Sequence, residues 1–164
     1  MLSTQLDSVP LAPDVSAGHG IVPKSVRSRS REQMSVLLLG GDQPALRSLC
    51  ATLRNRARIT QAEDLPGALE KLSRQEVDVV FSAASFHCGS WSEAVKTIGF
   101  LYPDLPVVVV NEAPQLQSFA ERQKAMFTAG AFDVLHDPED ELSVMVVLAH
   151  ALATGDARQW QAAS

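Results

Sequence analysis

From residue 34 onward, short apolar runs alternate along the chain with longer segments of mixed polarity. The runs are four or five residues long, and glycine, proline or charged residues lie close to their ends, which is typical of buried strands. The predicted strands cover residues 36–39, 59–62, 77–81, 107–110 and 132–135. Because most of these side chains are apolar instead of alternating with polar ones, we expect the sheet to be covered on both faces.

Each predicted strand is followed by a segment in which apolar residues recur at helical spacing. After the first strand, Leu46, Leu49 and Leu53 fall on one face of a helix. This helix opens at Gln43 and Pro44, since proline is tolerated in a first turn. The other predicted helices cover residues 66–72, 91–101, 115–128 and 138–153.

Five strand–helix units in succession predict an α/β fold. The best candidate is the flavodoxin-like (βα)5 three-layer sandwich, with a parallel sheet of strand order 2-1-3-4-5. In such sheets, functional residues gather outside the carboxyl ends of the strands. The residues at those ends are Gly40, Gly41, Asp42, Ser82, Ala83, Asn111, Glu112, His136 and Asp137.

The first 33 residues differ from the rest of the chain. They are rich in proline and serine, contain an Arg/Ser run at 27–31, and show no hydrophobic period. Such a segment buries too little apolar surface to offset the entropy of ordering. We therefore expect a disordered tail over 1–33, a single domain over 34–153 and a short C-terminal tail over 154–164.

Composition and charge narrow the function classes. The chain has 164 residues, 46% of them hydrophobic and 20% charged, and a formal net charge of -5. These values predict one globular domain that binds neither nucleic acid nor a membrane, since a basic patch and a long apolar run are both missing. Cys50 and Cys88 show no metal-binding or disulfide spacing, which favours a cytoplasmic location.

Several segments, in this order and spacing, resemble the receiver domain of bacterial two-component response regulators over residues 35–153. Residues 37–47 resemble the family's first strand, acidic pair and first helix, and residues 78–83 resemble the strand that ends in the phosphoacceptor. Residues 103–110 and 129–138 resemble its fourth and fifth strands. The resemblance implies a stand-alone signalling module of a phosphorelay pathway.

The residues that carry the family's phosphoryl-transfer chemistry are replaced. That chemistry needs a carboxylate nucleophile, acidic residues that hold Mg²⁺, and a lysine that neutralises developing charge. The acceptor position corresponds to Ala83, and the lysine position corresponds to Asp137, which inverts the charge. Gly41 takes the first acidic position and Asp42 the second, while a register shifted by one would place Gly40 and Gly41 there.

Two switch positions of the family are replaced as well. The hydroxyl residue that ends strand four corresponds to Asn111, and the aromatic residue of strand five corresponds to Val134. The resemblance therefore implies a degenerate phosphorylation pocket, and the chain a pseudo-receiver that is not an enzyme. We expect no cofactor, because Asp42 as the single remaining carboxylate of the pair makes a poor Mg²⁺ site.

Pseudo-receivers of this family act through protein contacts, commonly on the face made by helix four, strand five and helix five. The residues expected on that face here are Gln117, Glu121, Lys124, Phe132 and Asp133. The resemblance implies a signalling protein as partner, such as a histidine kinase, another regulator or an effector. The same face mediates dimers in relatives, so the resemblance also allows a weak homodimer.

A second hypothesis comes from the sheet edge itself. Asp42, Asn111 and Asp137 follow three strands whose carboxyl ends meet at one crevice, where this architecture binds ligands. Oxygen ligands of this kind suit a divalent cation or a small polar molecule. The alternative function is thus a small-ligand or divalent-cation sensor.

Overall fold

The computed structural model describes residues 33–111 and 119–162, so nearly all of the predicted N-terminal tail lies outside the described residues. Over the described residues, seven strands and five helices follow one another. The strands are β1 (Met34–Leu39), β2 (Ala57–Ala62), β3 (Val79–Ala83), β4 (Ser85–Phe86), β5 (Gly89–Ser90), β6 (Val107–Val110) and β7 (Asp133–Leu135). The helices are α1 (Pro44–Leu53), α2 (Leu65–Arg74), α3 (Trp91–Leu101), α4 (Phe119–Ala129) and α5 (Glu141–Ala162).

The main sheet is parallel and has five strands in the order β2-β1-β3-β6-β7. Counted without the short β4–β5 hairpin, this is the predicted order 2-1-3-4-5, so the fold class is confirmed. The hairpin itself was not predicted. Its turn places Cys88 at φ 58, a left-handed conformation in which glycine or asparagine would have been the usual signal.

Apolar side chains fill both sides of the sheet. On one side, Leu49 of α1 and Leu148 of α5 pack against Val36 and Phe81 of the strands. On the other side, helices α2, α3 and α4 cover neighbouring strand residues such as Leu37. The fully apolar strands are therefore explained by burial on two faces, as predicted.

The last helix differs from its prediction at both ends. It begins at Glu141 instead of residue 138, because Asp140 is the N-cap: its carboxylate accepts hydrogen bonds from the hydroxyl and the backbone N–H of Ser143. The Ser143 hydroxyl is the main cause that lowers the pKa of Asp140 below its usual value. The prediction of a helix end at residue 153 is wrong, since α5 continues to Ala162.

The other boundaries differ by a few residues. Strand β3 runs two residues beyond its predicted end because its pairing with β6 continues to Ala83. Helix α4 is described from Phe119, and residues 115–118 of its predicted range lie outside the described residues. Among the helices that the structure describes, none has both the length and the apolar character needed to cross a membrane.

At the carboxyl ends of β1 and β3 there is no room for a side chain on Gly40. Gly40, the residue after β1, has φ +143, and a β-carbon on it would lie 2.5 Å from the β-carbon of Ala83. The same β-carbon would lie 3.0 Å from Cδ1 of Leu46 in α1. Both the conformation and the space at this position therefore require glycine.

We expect the Gly40→Ala variant to lower the free energy of unfolding by roughly 2 kcal/mol or more, because the added methyl overlaps buried groups and the backbone is strained. Gly99→Ala is the matched control: it lies in α3 with no atom within 4 Å of an added β-carbon. The control should be neutral or stabilise by about 0.5–1 kcal/mol. Urea denaturation of both variants tests this, and equal stabilities would contradict the packing described here.

Candidate functional site

The crevice predicted at the carboxyl edge of the sheet is closed by apolar packing where β1 and β3 end. Ala83 is 2% exposed and belongs to the core cluster that also holds Leu46. Gly40 approaches both residues, and its backbone N–H donates to the carbonyl of Ala62 on β2. A buried methyl group thus occupies the position of the predicted acceptor, and it provides neither a nucleophile nor a metal ligand.

Asp42 lies at the rim of this edge and points its carboxylate into solvent. Its side chain is 83% exposed, and its Oδ1 lies 3.3 Å from Nε of Arg47 on α1. An exposed pair of this kind contributes about 0–1 kcal/mol to stability. Gly41, which holds the first position of the predicted acidic pair, has φ 69 and forms the turn between β1 and α1.

The side chain of Gln43 connects the start of α1 to the loop after β3. Its Nε2 donates a hydrogen bond to the carbonyl of Ser85 in the β4–β5 hairpin. Ser82, which precedes Ala83, is fully buried, and its hydroxyl donates to the Ala83 carbonyl at 3.0 Å. The hydroxyl at the end of β3 is therefore engaged inside the protein.

Asp137 has a structural role in the loop between β7 and α5. Its Oδ1 accepts hydrogen bonds from the backbone N–H groups of Glu139 and Asp140, at 3.1 and 3.2 Å. Such a turn is a common use of aspartate before a helix. The carboxylate that corresponds to the family's lysine position is thus exposed and already hydrogen-bonded within its own loop.

Asn111 of the predicted pocket has a buried side-chain oxygen with no hydrogen-bond partner among the described residues. Its side chain is 8% exposed, and its backbone N–H donates to the carbonyl of Leu135 at 2.9 Å. Its Oδ1 is buried and accepts no hydrogen bond from any of the described residues. An unpaired buried carbonyl oxygen carries a desolvation cost of about 1–3 kcal/mol.

Val134 of β7 is the residue that the resemblance placed at the family's switch aromatic. It is 5% exposed and packs in the core cluster on the side of α2, α3 and α4. A buried β-branched side chain is held in one rotamer and cannot swing between an inward and an outward position. This position is therefore part of the core.

The predicted partner face is partly described. Glu121 and Lys124 are exposed on α4, and Gln117 lies outside the described residues. Phe132 and Asp133 are half-buried at the start of β7. The described members of the face therefore lie on α4 and at the start of the edge strand, and the binding of a partner to this face stays a prediction.

The sequence analysis did not identify His150 of α5, which contacts Phe132 and Asp133 at the start of the edge strand. Its ring lies 5.1 Å from the ring of Phe132, and its Nδ1 lies 3.8 Å from Oδ2 of Asp133. The sequence signal that could have identified it is that His150 is a polar residue within an apolar stretch of the helix. Its contacts with β7 are far apart in sequence and depend on the sheet order.

The residues that could hold a cation do not converge. Asp42 is paired with Arg47, and Asp137 is bonded to its own loop. Among the described residues, no three His, Cys, Asp or Glu side chains are grouped so that they could share a metal ion. Among the predicted pocket residues that the structure describes, the side-chain oxygen ligands are therefore those of Asn111, Asp42 and Asp137, and the last two are exposed.

Comparison with solved structures identifies several similar folds. The signal receiver domain of an HD domain-containing protein from Pseudomonas fluorescens Pf-5 has a TM-score of 0.65 at 24% identity, over 77% of this chain and 92% of that chain. A putative response regulator from Chloroflexus aurantiacus J-10-fl has a TM-score of 0.65 at 19% identity, over 74% and 99%. An adenylate cyclase structure from Rhodopirellula baltica has a TM-score of 0.66 at 15% identity, over 79% and 95%.

Sequence comparison was less informative, since no family model and no curated protein matches the chain. The structural matches cover nearly the whole of the compared receiver domains. They agree with the resemblance seen in the sequence and with the observed strand order. The chain thus has the flavodoxin-like fold of response regulator receiver domains.

Proposed function

We propose that this protein is a receiver-like signalling module of a two-component type pathway that works without being phosphorylated. It acts by binding other signalling proteins through its surface and is not an enzyme. The fold similarity to receiver domains supports the pathway class. A cytoplasmic location, where a histidine kinase, another regulator or an effector would meet it, belongs to the same proposal.

The observation that carries this proposal is the packing at the end of β3. Phosphoryl transfer needs a carboxylate with room for a metal ion and three phosphoryl oxygens beside it. Here Ala83 is buried in the core cluster that also holds Leu46, and its methyl side chain carries no nucleophile. A phosphoryl group would find no nucleophile at this position.

The charges at the rim support the same conclusion. Asp137 stands where a lysine would attract the phosphoryl oxygens, and its carboxylate would repel them. It is held in place by two backbone N–H groups of its own loop. Because the residues for phosphoryl transfer are replaced, we assign signalling to the outer surface formed by α4, β7 and α5.

We expect no phosphoryl group to be added to the core of the protein by acetyl phosphate and Mg²⁺, because no nucleophile is accessible there. Intact mass spectrometry of the full chain after incubation provides the measurement. Peptide mapping serves as the control, since it separates modification of a surface residue from modification near Ala83. Stoichiometric phosphorylation of a residue at the carboxyl edge of the sheet would refute the proposal.

The Ala83→Asp variant should fail to restore phosphorylation and should lose about 3 kcal/mol or more of unfolding free energy. The new carboxylate would replace a methyl group that is 2% exposed in the apolar core cluster that holds Leu46. Ala84→Asp, one residue further and half-buried, is the matched control and should cost clearly less. A stable Ala83→Asp variant that accepts phosphate would show that the pocket is open after all.

A second candidate function rests on Asn111. Its Oδ1 is buried and has no hydrogen-bond partner among the described residues. It lies just after β6, at the sheet edge where this fold binds ligands, and it favours a small-ligand or divalent-cation sensor. The test is thermal unfolding in the presence of Mg²⁺, Ca²⁺ and common nucleotides. The leading proposal predicts no change in Tm. A rise in Tm that the Asn111→Leu variant abolishes would support the sensor instead.

A further inference from the structure

An apolar groove lies at the amino edge of the sheet, opposite the edge that carries Ala83. Its volume is about 310 Å³, at the lower end of the range for ligand sites in proteins. The starts of β6 and β7 contribute to it, as do α3 and the segments that follow α3 and α4. The residues on which the argument rests are Val95, Gly99, Pro103, Leu105, Gly130 and Phe132.

The lining of this groove is apolar in every side chain. It consists of glycine, alanine, proline, valine, leucine and phenylalanine, so the polar atoms on its surface belong to the main chain. Gly99, Pro103 and Gly130 are exposed, and a β-carbon on Gly99 would meet no atom within 4 Å. The groove is therefore open to solvent, and a segment of a partner can enter it from outside.

Two helices end at this groove. Helix α3 ends at Leu101, just before Pro103, and α4 ends at Ala129, just before Gly130. A β-carbon on Gly130 would lie 3.7 Å from Cγ1 of Val95, so the end of α4 lies against α3. The carboxyl end of a helix carries partial negative charge, and here two such ends are brought together.

Neither helix supplies a cation to offset this charge. The last turns of α3 and α4 contain no basic residue, and Lys96, Arg122 and Lys124 all precede those turns. Asp104, which lies between two lining residues, is exposed and adds a carboxylate beside the groove. The groove is therefore apolar inside and negative at its rim.

Arginine is the side chain whose chemistry matches this combination. Its long stem covers apolar surface, and its planar guanidinium has five N–H donors and stacks on aromatic rings. The guanidinium can donate to main-chain carbonyls at the helix ends, pair with Asp104 and lie against the ring of Phe132. The ammonium of lysine is more strongly hydrated and lacks the planar face.

We propose that the groove docks an extended segment of another protein that places an arginine side chain in it. The small volume accommodates only a few side chains, so the main chain of the segment stays at the surface. This inference goes beyond the proposed function, because the groove lies at the opposite edge of the sheet from Ala83. Phosphorylation and segment binding are measured in separate experiments, and either result can fail without the other.

The first test uses the acetylated and amidated hexapeptide GLRPGG as the probe. It is titrated into the full chain while the amide NMR signals of Gly99, Leu105 and Gly130 are followed. We expect saturable shifts of these signals. The matched control peptide carries citrulline in place of arginine, which keeps the shape and removes the charge. It should bind at least about tenfold more weakly, because charge-assisted hydrogen bonds are lost.

The second test fills the groove from within the chain. Gly99→Leu places a side chain in the open space and should weaken binding of the arginine peptide at least about tenfold. Its free energy of unfolding should not fall, since leucine is a better helix former than glycine. Gly99→Ala is the matched control, because its single methyl group leaves most of the groove open.

The third test measures the contribution of charge at the rim. Asp104→Asn should weaken binding of the arginine peptide about two- to fivefold, as expected for an exposed ion pair, and should not affect the citrulline peptide. Glu63→Gln is the matched control: it removes the same charge from an exposed position after β2, at the other edge of the sheet. It should leave binding of both peptides unchanged.

Several results would overturn the proposal. One is the absence of saturable shifts at the groove, and another is equal binding of the arginine and citrulline peptides. Undiminished binding to the folded Gly99→Leu variant would show that the peptide binds elsewhere. If arginine amide alone bound as tightly as the hexapeptide, the site would take a small cation instead. Groove signals that move with protein concentration alone would indicate a second copy as the occupant.

Discussion

The contact between the ends of β1 and β3 is the constraint on which the carboxyl edge of this protein depends. Gly40 and Ala83 lie so close that a β-carbon on the glycine would overlap the alanine methyl. Two of the smallest residues, Gly40 and Ala83, therefore meet at the edge where a receiver domain carries its phosphoryl-transfer chemistry. The apolar core therefore extends to the carboxyl edge of the sheet, and the polar residues around it have structural roles.

The neighbouring residues are consistent with such roles. Asp137 closes the loop before α5, Asp42 pairs with Arg47 on the surface, and Val134 is packed in the core. Among the described residues of this edge, Asn111 keeps an unpaired oxygen inside. The features that distinguish the molecule are on its outside instead, above all the apolar groove at the amino edge of the sheet. This distribution supports the proposal that the protein acts through contacts with other proteins.

The sequence was sufficient to predict the sheet and its order, because strands such as Val107–Val110 and helices such as α1 carry strong local periodicity. Predictions from short sequence segments were wrong or missing where the structure depends on its surroundings in the fold. The residues after Ala153 contain Gly155 and look like the end of a helix, yet α5 continues through them. The β4–β5 hairpin has two-residue strands that are too short to show a period.

The candidate site was predictable in its positions but not in its contacts. The replaced residues could be named from the family resemblance, whereas the approach of Gly40 to Ala83 arises from the pairing register of two strands that are distant in sequence. The contact of His150 with Phe132 and Asp133 arises in the same way, from packing of a helix on the edge strand. Non-local geometry of this kind leaves no mark in a single sequence.

The central claim is that the carboxyl edge is closed to metal and phosphate, and amide NMR of the full chain tests it most directly. Mg²⁺ is added first and acetyl phosphate second, while the backbone signals of Gly41, Ala83 and Asp137 are followed. The account predicts that these signals stay at their positions through both additions. Saturable shifts at Ala83 and its neighbours would contradict it and would show a working pocket.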